Sequence, residues 1–327
     1  MLKLAADVTG FLGAEAAAEI EGCGKAMGLE LGVLTTLNLS YILRRLMGGD
    51  HNTTGPLPAG ADRAAGSIAC TSLAADGGAR GECAVVHGRN LDWGLPDELK
   101  NLTVALKWRK GGEELMTTIG PIGFFGVLTA FKSGRYAASI NERAHGGPFL
   151  EDLAELLLLG RKLPSHALRE ALLAANTYAD LGARLAAAEL VAPVYYVVSG
   201  AQRGEASVIT RDRTGVAGAP VSLDNGGSFG RSWFVLQTNY DYWEDAPASD
   251  DRRGYALRHL DELGAKTNRS ASMEQMRDRI LKAWPTLNDG TSLVSVMCAE
   301  TGEYLAYNVR MPSLARHVLS LSRTRAP

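Results

Sequence analysis

The sequence predicts a layered α+β fold. β-prone segments come in consecutive runs instead of alternating singly with helices, and a block of helical periodicity separates two such runs. Length and composition agree: 327 residues with 46% apolar content give ample material for a core, in one large domain or two small ones.

Residues 11–22 and 31–45 read as helices. In the second, Leu31, Leu34, Leu37, Leu39, Ile42 and Leu43 keep one broad apolar face. Residues 46–66 then lose any apolar period and gather glycine and proline, as an exposed loop or linker does. Short β-prone runs follow at 68–75, 83–92, 102–109, 113–119, 124–130 and 135–141. They are separated by turn signals such as Asp76-Gly77-Gly78, Lys110-Gly111-Gly112 and Lys132-Ser133-Gly134. Helical patterns occupy 149–160, 165–176 and 178–190. Strands return at 193–199, 205–211 and 232–239, helices at 250–263 and 272–284, and two last strands at 292–299 and 303–310.

Charge and motifs exclude several function classes. The net charge of −2 lacks the basic excess of a nucleic-acid binder. No apolar run reaches the length of a membrane span. The Gly-rich stretches 77–81 and 120–126 fit neither phosphate-binding pattern, and the first reads as a hairpin turn. The cysteines at 23, 70, 83 and 298 make no zinc pattern and no disulfide scaffold, and most of them read as packing; no metal or redox cofactor is implied by the reading below. Sequons at Asn38, Asn52, Asn101 and Asn268 read either as glycosylation sites of a secretory protein or as accident. Asp7, Glu15, Glu19 and Glu21 interrupt any signal-peptide core.

One constellation carries chemistry. Cys70 follows the linker and opens a strand, and His87-Gly88-Arg89-Asn90-Leu91-Asp92-Trp93 follows on what reads as the next strand of a hairpin. That pairing would bring Arg89 and Asp92 toward Cys70, and a guanidinium biases a thiol toward the nucleophilic thiolate. On spacing alone, a buried thiol near a surface ion pair explains the same residues.

Cys70-Thr71-Ser72 followed by His87–Asp92 resembles the start of the mature catalytic subunit in the acid ceramidase family, which includes the acid amidases of N-acylethanolamines. Asn141-Glu142-Arg143, Tyr195–Gly200 with Val208–Arg213, Gln237–Trp243 and Asp250-Asp251-Arg252-Arg253 continue the resemblance in family order. It implies a four-layer αββα sandwich of the N-terminal-nucleophile hydrolase type. It implies self-cleavage at Ala69–Cys70, dividing the chain into a small subunit 1–69, with a linker at 46–69, and a catalytic subunit 70–327.

The same resemblance implies roles. Cys70 would be the nucleophile, with its new α-amine as base. Arg89 would hold the thiol and the substrate's polar head. Asp92 would orient the amine, and Asn239 would donate to the oxyanion. Arg252 would be a second active-site arginine, and Glu142 would serve self-cleavage or position an arginine. His87 lies inside the motif, but the family chemistry needs no histidine base. Trp93, Gly123, Phe124, Phe125 and Trp243 would bind the substrate acyl chain. The activity implied is hydrolysis of a lipid N-acyl amide, ceramide or N-acylethanolamine, with peripheral membrane contact. The rivals are a lipid-binding member that never matures and an amidase of bile-salt or penicillin-type amides. Location would be lysosomal or secretory by resemblance, and cytoplasmic if the N-terminus is complete.

Overall fold

A computed structural model describes residues 2–40, 42, 68–78, 83–93, 100–143, 149–248 and 250–309. The expected linker 46–66 lies outside these residues. Twelve described strands form two antiparallel sheets. The first has five strands in the order β10-β1-β2-β11-β12, namely Phe234–Gln237, Ile68–Asp76, Val85–Trp93, Thr291–Cys298 and Tyr304–Asn308. The second is a seven-stranded meander, β3 to β9. Its strands are Thr103–Lys110, Glu113–Pro121, Thr129–Lys132, Tyr136–Glu142, Val194–Gly200, Ala206–Arg211 and Val221–Ser222.

Strand periodicity sorts the side chains into layers. On β2, Val86 faces the helix Arg252–Thr267 and the segment Met273–Leu281, together with Leu73 and Ala75 of β1 and Val294 and Val296 of β11. On β6 and β7, Ala138, Ile140, Val194, Tyr196 and Val198 pack against the N-terminal helices and the helices Pro164–Ala174 and Tyr178–Ala187. The alternate residues, Cys70, Leu91, Ala137, Leu293 and Met297 among them, fill the space between the sheets. Helix, sheet, sheet, helix is therefore the layer order, the αββα sandwich that the resemblance implies.

The N-terminal segment is built into this core. Val8, Leu12, Ala16, Ile20, Leu34, Leu39 and Ile42 belong to the apolar layer over the seven-stranded sheet. Asn38 is fully buried and uses its whole amide: Nδ2 donates to Leu34 O and Gly123 O at 2.9 and 2.8 Å, and Oδ1 accepts from Phe125 N and Gly126 N.

Several expectations are corrected. The strand expected at 124–130 is a loop up to Leu128, with β5 confined to Thr129–Lys132. Gly123 sits at φ +81°, and Asn38 takes the amides that a strand would pair. The helix expected over 272–284 is a capped turn, Met273–Gln275, running into a π-helical segment, Met276–Leu281. Cys83 and Cys298 are not mere packing but form a disulfide, with Cα atoms 6.0 Å apart, joining the chain just before β2 to the end of β11. Burial leaves no room for a glycan on Asn38, whereas Asn101 and Asn268 are exposed.

Candidate active site

Cys70 lies on β1, between β10 and the central strand β2 of the five-stranded sheet, and points between the sheets, fully buried. The β1–β2 register places Ser72 opposite Arg89 and Cys70 opposite Leu91, so Arg89 falls on the face of Cys70. Arg89 Nη2 donates to Cys70 Sγ at 3.3 Å, and Nη1 donates to Ile140 O at 2.6 Å. Burial pushes the Cys70 thiol above its ordinary range; the positive charges of Arg89 and Arg252 act in the opposite direction.

The strand continues N-terminally past the cysteine, with Ala69 paired to Asp92 and Ile68 to Trp93.

Asn239 and Arg252 hold the backbone of Cys70. The Cys70 amide donates to Asn239 Oδ1 at 2.6 Å, and Arg252 Nη1 donates to Cys70 O at 2.9 Å. Arg252 also reaches Asn239 Oδ1 at 2.9 Å and Asp92 Oδ2 at 3.0 Å. Asn239 Nδ2 donates to Glu142 O at 2.9 Å, which fixes the orientation of the amide. The acceptor of the Cys70 amide nitrogen is thus Asn239. The Asp92 carboxylate instead accepts from Arg252, from Asn288 Nδ2 at 2.8 Å and from Thr291 Oγ1 at 2.7 Å.

The structure brings Cys70, Arg89, Asp92, Asn239 and Arg252 together, with Glu142 joined through its carbonyl. Asp250, Asn288 and Thr291 were not singled out from the sequence. Asp250 holds Arg252 with a two-pronged contact at 2.6 and 2.8 Å, and its place two residues before that arginine was the available signal. Asn288 and Thr291 carry no such signal, because they reach Asp92 from roughly 200 residues away in sequence.

The expected acyl-binding residues divide. Trp93 and Phe124 pack edge-to-face, centroids 6.2 Å apart, in the apolar cluster that contains Cys70. A groove lined by Val104, Leu106, Ile119, Pro121, Phe124 and Leu128 shares three of its walls with that cluster, Ile119, Phe124 and Leu128. Gly123 shapes the same loop: a Cβ there would come within 2.9 Å of Leu34. Phe125 turns the other way and packs on Trp108 under the N-terminal helices. Trp243 is half exposed and stacks with Tyr242 and over Arg143, outside the Cys70 cluster.

No protein-family model matches the chain. It is 30% identical over 309 residues to the N-acylethanolamine-hydrolyzing acid amidase of Cavia porcellus, covering 94% of this chain and 77% of that protein. The chain belongs to this family of acid amidases and acid ceramidases. The amidase of Oryctolagus cuniculus is 35% identical over 248 residues, 76% of this chain and 66% of that one, so this chain spans slightly under two thirds of that relative. The acid ceramidase of Mus musculus is 28% identical over 303 residues, 88% of this chain and 68% of that one. The structure of a Caenorhabditis elegans orthologue of the amidase superposes with a TM-score of 0.61 at 26% identity, covering 74% of this chain and all of that one.

Proposed function

We propose that this chain is a self-processing cysteine amidase that hydrolyses the amide bond of lipid N-acyl amides. The observation that carries this reading is the double hold on Cys70. Its sulfur lies on Arg89 and its nitrogen on Asn239, at the point where β1 would have to be cut to free that nitrogen.

Cleavage of Ala69–Cys70 converts the Cys70 amide into an α-amine, whose ordinary pKa of about 7.7–8.0 suits a base working on its own thiol. Two nearby guanidiniums favour the neutral amine and the thiolate. The amine takes the thiol proton and sulfur attacks the acyl carbonyl carbon. The C–N bond then breaks with return of the proton to the leaving amine. Water attacks the resulting thioester, the C–S bond breaks, and the fatty acid leaves.

Asn239 Oδ1 receives the α-amine, and the second Nδ2 hydrogen of the same amide is the donor for the oxyanion. Asp92 is a positioning residue acting through Arg252, Asn288 and Thr291. The groove beside Phe124 and Leu128 takes the acyl chain, each buried CH₂ contributing about 0.8 kcal/mol. The exposed Val104 and Leu106 at its mouth suit a substrate drawn from a lipid surface. The disulfide supports an oxidising secretory or lysosomal location.

The test is rapid-quench mass spectrometry of cleaved protein mixed with N-acylethanolamine or ceramide. The reading requires an acyl adduct on the peptide that begins with Cys70, together with fatty-acid release. Neither adduct nor release with either lipid would refute it.

A further inference from the structure

Between the sheets runs a file of buried polar side chains that the reaction above does not use. His87 Nδ1 meets Ser199 Oγ at 3.0 Å and Nε2 meets Ser139 Oγ at 2.9 Å. Ser139 Oγ meets Ser72 Oγ at 3.0 Å, and Ser72 Oγ meets Asn141 Oδ1 at 2.6 Å. His87, Ser72, Ser139, Asn141, Ser199 and Arg89 are all fully buried.

Valence fixes the direction of each bond from Asn141 back to His87 Nε2. Asn141 Nδ2 gives its hydrogens to Gln237 O and Thr238 O, so its Oδ1 faces Ser72 as an acceptor. Ser72 must then spend its one hydrogen on Asn141. Ser139 must spend its own on Ser72, and so accepts from His87 Nε2–H. In the neutral ring Nδ1 is then bare and accepts from Ser199. The file ends on Arg89, whose Nη1 lies 3.4 Å from both Ser72 Oγ and Asn141 Oδ1 while Nη2 touches Cys70 Sγ.

We infer that His87 is a positioning residue for Cys70 chemistry: as the neutral Nε2–H tautomer it sets the one-way chain Ser199, His87, Ser139, Ser72, Asn141 that orients the Arg89 guanidinium against the sulfur. This rests on the proposed role of Cys70 as nucleophile. Arg89 faces His87, and burial together with that charge holds the imidazole at about 3, so the chain keeps its direction at acidic pH. The charged groups facing the thiol are Arg89, Asp92 and Arg252.

The experiment compares His87→Leu, His87→Gln and Ser139→Ala with the unsubstituted cleaved protein, reading kcat, KM and the pH dependence of Cys70 alkylation by iodoacetamide. Ring ¹⁵N spectra of the full chain give the tautomer. The proposal predicts that His87→Leu and Ser139→Ala lower kcat about tenfold with little change in KM. Both should move the alkylation profile to higher pH by about half a unit or more, the shift expected when a guanidinium drifts from a thiol. Gln, whose terminal NH₂ can donate to Ser139, restores most of both. The spectra should show one protonated and one bare nitrogen from about pH 5 to about pH 8.

Should His87→Leu fail to fold, Ser139→Ala carries the comparison. An unshifted alkylation profile in folded variants, or a protonated Nδ1, overturns the inference. Neither the alkylation profile nor the spectra need a substrate. An unsubstituted protein that turns over no lipid would therefore refute the proposed function while leaving this inference to be decided separately.

Discussion

The backbone nitrogen of Cys70 donates to Asn239 Oδ1 at 2.6 Å, joining residues 169 positions apart. β10 pairs with β1 only from Ser72 to Ala75, so the Cys70 amide lies beyond that ladder and takes a side-chain acceptor. The α-amine proposed above would need an acceptor that cannot itself be protonated at acidic pH. An asparagine carbonyl meets that requirement and a carboxylate does not.

Replacing Asn239 by Asp should therefore separate maturation from turnover. The carboxylate still accepts from Cys70 and Arg252 but loses the donor for the oxyanion. Self-cleavage should persist while kcat for amide hydrolysis falls by roughly 10²–10³. Electrophoresis for cleavage and a fatty-acid release assay check the two halves.

The disulfide makes a prediction about subunit structure. Cys83 and Cys298 both lie C-terminal to the proposed cut, and Cys23 and Cys70 are free thiols. Denaturing electrophoresis without reductant should thus release the 1–69 fragment from 70–327. Co-migration of the two would contradict the pairing. Cys298→Ala should cost about 2–4 kcal/mol of stability in chemical denaturation.

Asn38 fastens the N-terminal helices to the loop that carries Phe124. Asn38→Leu strands the amides of Phe125 and Gly126, each costing about 1–3 kcal/mol when left buried and unpaired. The expected result is a lower melting temperature and weaker retention of the small fragment after cleavage. In protein from a secretory host, peptide mapping should find Asn38 without glycan.

Stability should fall on acidification. His87 and His166 are both fully buried or nearly so, and burial, with Arg89 and Arg169 respectively, holds each at about 3 against an ordinary 6.5. The unfolded chain takes up these protons first as pH drops below about 6.5, so the histidines' contribution is intact above that pH and is lost progressively toward pH 3. Melting temperature against pH checks this, and His166→Gln should flatten the acid side of the curve.

Local features were legible in the sequence, whereas those that depend on sheet partners were not. The pairing of Cys70 with Arg89 followed from hairpin spacing, because strand alternation puts Ser72 opposite Arg89 and so aligns their faces. The disulfide was missed because it needs β2 and β11 to be neighbours across 215 residues. Phe124 and Phe125 looked equivalent as adjacent aromatics; only the Asn38-held loop sends one toward Cys70 and the other toward Trp108. His87 looked dispensable because its partners, Ser139 and Ser199, lie on the opposite sheet.

Reactivity of Cys70 before the cut offers a further check. Burial raises the thiol's pKa in the uncut chain, so the thiolate fraction there is small at any mildly acidic or neutral pH. Iodoacetamide should label Cys70 slowly in an uncut Ala69 variant and much faster in cleaved protein.

The most direct measurement is intact mass with N-terminal sequencing, before and after incubation at mildly acidic pH, beside a Cys70→Ala control. The account predicts two fragments, the larger beginning at Cys70, and a control that stays whole. A single uncut chain under all conditions, or a control that is cut at the same bond, would contradict it.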